Sequence, residues 1–177
     1  MALVEPIIFQ VVGYQNSGKT TTTSKLITAL SARELKTVTI KHHGHGGKPD
    51  VLIQKDSGKH LTAGAYVSIV KGEDRMVLQA EHCELNLEKQ IELLKFFHPN
   101  VILIEGYKRE NYPKMVLIRD NSDLPLLELV HKVTAVVYWK HELKGLIKEI
   151  LNAPVFHIDD ETAISWIVEF LLADRKE

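Results

Sequence analysis

Gly13, Tyr14, Gln15, Asn16, Ser17, Gly18, Lys19 and Thr20 spell GxxxxGK[ST], a spacing that can grip phosphate. The two glycines allow backbone geometry and close approach that a side chain would block, and the amides between them can converge on an anion. Lys19 then reaches β- and γ-phosphate oxygens, the Thr20 hydroxyl is placed to coordinate Mg²⁺, and Thr21 continues the same turn. The loop follows the apolar run Ile7–Val12 and opens a helix-forming stretch, the context in which such a loop works. The chemistry is that of a nucleotide or another phosphorylated ligand.

Two further segments end apolar runs with reactive side chains. Glu105 follows Val101, Ile102, Leu103 and Ile104, the pattern of a magnesium-associated acid, and Gly106 beside it would let the backbone approach a γ-phosphate. Lys41, His42, His43, Gly44, His45, Gly46, Gly47 and Lys48 follow Thr37–Ile40. This basic segment fits contact with a phosphate or an anionic substrate, a transition-metal site built from imidazoles, or a solvated loop without a ligand. Lys55, Asp56, Ser57 and Gly58 read as the start of a short helix leading to Ala63, Gly64 and Ala65, either as a cap or as a second anion site.

The elements that must hold these residues alternate. A strand at Ile7–Val12, a helix over Lys19–Ser31 and a strand at Thr37–Ile40 make one strand, helix, strand unit. Tyr66–Val70 and Met76–Ala80 predict a hairpin added to the edge of an otherwise parallel sheet. A helix from Leu87 is stopped by Pro99 and Asn100 ahead of Val101–Ile104, a strand expected at the sheet centre. Strands at Met115–Ile118, Ala135–Tyr138 and Val155–His157, with amphipathic helices around Leu143–Ile150 and Ala163–Leu171, complete the pattern. The fold class is α/β: a three-layer α/β/α P-loop NTPase fold, with a mostly parallel sheet and an added antiparallel hairpin. One domain over residues 1–177 is expected.

Composition narrows the partners. The chain has 22 basic and 23 acidic residues, net charge −1, with no run of like charge, so a nucleic-acid backbone or an anionic membrane has no compositional support. At 45% hydrophobic and 25% charged, 177 residues can bury a core without staples. Cys83 is the single cysteine, which rules out an internal disulfide and a multi-cysteine zinc site. The start Met1–Pro6 lacks the marks of a signal peptide, and no segment offers the ~20 apolar residues of a membrane span, so a cytoplasmic protein is expected.

Taken in order, GYQNSGKTT at 13–21, IKHH at 40–43, KDS at 55–57, AGA at 63–65, EGYK at 105–108 and PKMVLIRD at 113–120 resemble the MobB family of molybdenum cofactor assembly. The resemblance implies GTP binding with Mg²⁺, slow hydrolysis at most, a homodimer, and service to a MobA-type guanylyltransferase that attaches GMP to molybdopterin, itself a further candidate ligand. It also implies that Gly13–Thr21 hold the phosphates, that Thr20 and Glu105 sit at the metal, and that Lys41, His42, Asp56 and Lys108 line the mouth of the site. Lys19 and Glu105 would carry what catalysis there is.

The chain departs from the family's pattern between Gly44 and Gln54, which leaves Asp50 without an assigned role. The NKxD signature that reads guanine in many GTPases is missing, since Trp139, Lys140, His141 and Glu142 stand after Ala135–Tyr138. Asp159 and Asp160 either accept guanine N–H groups or cap the helix that follows. Preference for GTP therefore comes from the resemblance. A P-loop small-molecule kinase is one alternative, although it needs an arginine-rich lid that is not evident after Glu105. A GTPase that delivers a metal through His42, His43 and His45 is another. Dimerisation is expected through the hairpin, whose β-prone edges invite a partner strand.

Overall fold

The computed structural model describes residues 5–42, 44 and 56–174. Short apolar runs become strands at Ile7–Gly13 (β1), Thr37–Lys41 (β2), Val67–Gly72 (β3), Arg75–Ala80 (β4), Val101–Glu105 (β5), Lys114–Ile118 (β6), Val133–Tyr138 (β7) and Val155–His157 (β8). Helices form at Lys19–Ser31 (α1), Asp56–Thr62 (α2), Leu87–Lys95 (α3), Leu126–Leu129 (α4), Leu143–Ile150 (α5) and Thr162–Asp174 (α6). The chain divides into two compact units, one of Met1–Gly44 with Ile91–Glu177, the other of His45–Gln90.

In the larger unit six strands run in the order β2-β5-β1-β6-β7-β8, and every neighbouring pair is parallel. Strands covered on both faces read as nearly continuous hydrophobic runs. β5 and β6 meet that description, with all ten of their residues buried. β5, expected at the centre, lies between β2 and β1, while β1 and β6 form the middle pair.

The two-residue period of a strand divides the core. Phe9, Val11, Leu103, Met115, Leu117 and Val137 face one side, where they pack with Leu26 and Leu30 of α1 and Ile167, Val168 and Leu171 of α6. Val12, Val116, Ile118, Val136 and Tyr138 face the other, packing with Leu126 and Leu127 of α4 and Leu143 and Ile147 of α5. Each large side chain so buried contributes about 1.5–3 kcal/mol. Two helical layers thus clamp the sheet and fix the ends of its strands.

In the smaller unit α2 packs against β3, and β3 and β4 pair antiparallel from Val67↔Ala80 to Gly72↔Arg75. The hairpin expected from the sequence is present, but it forms a two-stranded sheet of its own rather than an edge of the parallel sheet. Val67, Ile69, Met76 and Leu78 share one face and are exposed. Alternation alone specified a hairpin, not its pairing partner. Among the described residues no helix is long and apolar enough to cross a membrane.

One buried cation ties the loops at the entry to β6. Lys114 is fully buried, and its Nζ donates to the carbonyls of Glu110 (2.8 Å), Tyr112 (2.8 Å) and His131 (2.7 Å). Burial, with a smaller push from Lys132, lowers its pKa from 10.5 to about 8. Lys114→Met leaves three inward carbonyls without their donor and should cost about 2–4 kcal/mol in urea unfolding at pH 7. Between pH 8 and 10.5 the unfolded chain retains a proton that the native state has released, so this group makes stability rise with pH across that window. The wild type should show that rise relative to Lys114→Met; parallel pH profiles for the two proteins would refute the assignment.

Candidate nucleotide-binding site

The parallel register brings the chemistry to one end of the sheet. Lys41 is in register with Glu105, and Glu105 with Val11, so the last residues of β2 and β5 stand beside the strand that leads into the loop at 13–18. That loop turns through two left-handed residues, Asn16 (φ 59°) and Gly18 (φ 94°), and α1 then begins with Thr22 N donating to Gly18 O (3.0 Å). Gly13 has a different reason for being glycine. A Cβ there would lie 2.9 Å from the Leu117 carbonyl oxygen and would also strike Ser17 Oγ, so the loop closes against β6 only without a side chain.

Around this turn the polar groups converge. Thr20 Oγ1 donates to Glu105 Oε1 (2.9 Å), and Lys41 Nζ reaches both Thr20 Oγ1 (3.1 Å) and Glu105 Oε1 (3.2 Å). Glu105 is 7% exposed, so a nearly buried carboxylate is balanced by a cation and a hydroxyl. Two hard oxygens that already attract an ammonium suit Mg²⁺, which prefers oxygen ligands and keeps several waters. Lys19 Nζ donates to the Tyr14 carbonyl (2.5 Å). Burial lowers the Lys19 pKa and Glu105 opposes that shift, so the ammonium is under-compensated and an incoming phosphate would favour its charged form.

The neighbouring segment is shaped by two left-handed residues in succession, Gly106 (φ 96°) and Tyr107 (φ 51°). A Cβ on Gly106 would come 3.1 Å from His42 Cβ. His42 N donates to Glu105 O (2.9 Å), and its ring lies 4.5 Å from that of Tyr107. Lys108 Nζ sits 4.3 Å above the Tyr14 ring, a cation–π contact spanning the loop. Gln15, Asn16, Thr20 and Thr21 face solvent, while Ser17 is fully buried and its Oγ has no hydrogen-bond partner among the described residues.

Of the residues singled out from the sequence, Asp56 opens α2 in the smaller unit. His43, His45, Lys48, Asp50 and Lys55 lie outside the described residues, and with them most of the histidine segment. Among the described residues no group of three His, Cys, Asp or Glu side chains is arranged to hold a metal ion.

Two residues that sequence reasoning passed over brace the site. Gln10 is fully buried in β1, and its Nε2 donates to the carbonyls of Gly106 (3.1 Å) and Tyr107 (2.9 Å), which fixes the turn after Glu105. Its signal was an amide inside an otherwise apolar strand. Trp139, at the end of β7, donates from Nε1 to the Ser17 carbonyl (3.0 Å). No spacing rule joins positions 17 and 139, so that bond was invisible in the sequence.

Comparison with known proteins agrees with this architecture. The family model for MobB, molybdopterin guanine dinucleotide synthesis protein B, matches residues 8–139, from β1 to the tryptophan that touches the loop. The chain belongs to the MobB family. A MobB relative in Bacillus subtilis (strain 168), a probable molybdopterin-guanine dinucleotide biosynthesis adapter protein, is 39% identical over 173 residues, 97% of each chain. The molybdopterin-guanine dinucleotide biosynthesis adapter protein of Escherichia coli (strain K12) is 37% identical over 120 residues, 66% of this chain and 68% of its own. The crystal structure of Bacillus subtilis MobB superposes with a TM-score of 0.76 at 35% identity, covering 92% of this chain and 96% of that one. A MobB homologue from Bacillus stearothermophilus gives 0.75 at 28% identity, covering 94% and 98%. The P-loop NTPase-type fold expected from the motifs is therefore that of MobB proteins.

The tight closure of the loop on β6 can be tested directly. Gly13→Ala should destabilise the chain by about 1–3 kcal/mol, because the added methyl displaces either the Leu117 carbonyl or the Ser17 side chain. Thermal unfolding checks it, and an unchanged melting temperature would mean that the loop has slack.

Proposed function

We propose that this chain is a GTP-binding adapter of molybdopterin guanine dinucleotide synthesis, acting in the cytosol beside a MobA-type guanylyltransferase. The observation that carries the reading is the convergence of Lys19, Thr20 and Glu105 at the end of the parallel sheet. In this reading the amides of Gly13–Thr21 and the Lys19 ammonium hold the β- and γ-phosphates, and Thr20 and Glu105 hold Mg²⁺. Mg²⁺, when bound, neutralises charge that develops between the β- and γ-phosphoryl groups. Lys41 and Lys108 add positive charge at the mouth of the site, with His42 beside them. Molybdopterin is the candidate for a second ligand there.

Hydrolysis should be slow. A fast site needs a group that orients water against the γ-phosphate, and Gln10, the amide built into β1, is fully buried with its Nε2 bonded to two backbone carbonyls. The arrangement suits holding and presenting a nucleotide better than turning it over.

The exposed apolar face of the hairpin supports the homodimer. Ile69 and Leu78 stand opposite each other in the ladder and are 58% and 44% exposed, a surface that a second copy could cover. Light scattering should give twice the chain mass, and Ile69→Lys with Leu78→Lys should give a monomer; a monomeric wild type at micromolar concentration would rule this out.

Calorimetric titration tests the nucleotide reading. Lys19→Ala should weaken GTP binding in the presence of Mg²⁺ by roughly 100-fold with little change in thermal stability. Unaltered affinity in that variant would defeat the proposal.

A further inference from the structure

If the loop at 13–20 fixes the phosphates, as the proposed function requires, the rest of the nucleotide must leave along a channel that begins there. One large cleft does so. A cavity of about 1270 Å³ opens from Gly18, Lys19 and Thr20 and continues past Trp139, Ile158 and Asp159. Its volume exceeds what a nucleoside needs, and its walls combine apolar surface with charges of both signs, Lys19 and Lys25 on one side and Asp159, Asp160 and Glu161 on the other. Trp139 joins the two halves. Its Nε1 bond to the Ser17 carbonyl bolts the cleft wall to the phosphate loop, and its ring edge lies 3.5 Å from where a Gly18 Cβ would stand.

Asp159 and Asp160 are adjacent but differently employed. Asp160 Oδ1 accepts from both Thr162 N (2.9 Å) and Thr162 Oγ1 (2.6 Å), so this carboxylate caps α6, and the same bonds hold its pKa below the usual value. Asp159 is used through its backbone. Its N–H donates to His157 Nδ1 (3.3 Å), whose Nε2 lies 2.9 Å from the Trp139 carbonyl oxygen. The Asp159 side chain is 87% exposed, with Oδ2 3.4 Å from His157 Nδ1, and its oxygens remain available to a ligand.

We propose that this cleft takes the base of the bound nucleotide, and that Asp159 is the residue that selects guanine. A carboxylate presents two acceptors side by side, matching the neighbouring N1–H and N2–H₂ donors of guanine. Adenine offers an acceptor at N1 beside its N6 donor, so the same carboxylate opposes it. Trp139 and Ile158 supply the apolar surface against which a flat ring can lie. This device comes from the end of β8 and does the work of the NKxD signature that is missing after β7.

Asp159→Asn reverses one of the two acceptors into a donor, which matches xanthine, where an oxygen replaces the 2-amino group. Relative to wild type, this variant should lose roughly tenfold or more in GTP affinity and gain roughly tenfold or more for xanthosine triphosphate, while tripolyphosphate binding stays unchanged. Asp160→Asn should lower the melting temperature through the weakened cap and leave the ratio of GTP to xanthosine triphosphate affinity as it is. The assignment is overturned if Asp159→Asn keeps the wild-type ratio, or if the wild type binds ATP as tightly as GTP. Failure of the underlying nucleotide reading looks different: Lys19→Ala would then leave tripolyphosphate binding intact, whereas a wrong base site leaves Lys19→Ala defective and only the Asp159 variant silent.

Discussion

The arrangement depends on one nearly buried carboxylate. Glu105 ends a strand whose every residue is buried, in register with Lys41 on one side and Val11 on the other, and it accepts the Thr20 hydroxyl across the gap to α1. A carboxylate withdrawn from water in this way is costly unless it is paired and hydrogen-bonded. Its two partners come from two other elements, so the contacts that compensate the charge also set the relation of β2, β5 and α1.

Around it the backbone is held by groups that do no chemistry. Gln10 pins the turn after Glu105 from inside the sheet, Trp139 holds the Ser17 carbonyl from the far side, and Lys114 gathers three carbonyls at the entry to β6. Each donates to main-chain carbonyl oxygens of the loops beside the sheet. Rigid supports of this kind are what allow a glycine-containing loop to keep its amides aimed at one point.

Much of the fold and part of the site could be read from the chain. The glycine-framed loop after β1, the acid that ends β5 and the basic residue that ends β2 were legible as neighbours because a parallel sheet brings its strand ends together, and apolar runs mark where strands end. What escaped depends on distance in sequence. The bond between Trp139 and Ser17 spans 122 positions and the one between Gln10 and Tyr107 spans 97, and neither follows from local periodicity. The hairpin was legible as a hairpin but not in its pairing, because alternation tells a strand which face is apolar and not which neighbour it takes. Asp159 and Asp160 are indistinguishable as letters; only the turn into α6 commits one to Thr162 and leaves the other open.

The position of β1 in the sheet also bears on how the molecule comes into being. The strands that pair with β1, β5 and β6, follow it by roughly 90 or more residues, so during synthesis β1 emerges well before either partner is available. The loop that follows it gains a rigid base only when the second half of the polypeptide emerges. An amino-terminal fragment can therefore carry the complete signature and still be unable to hold it in shape.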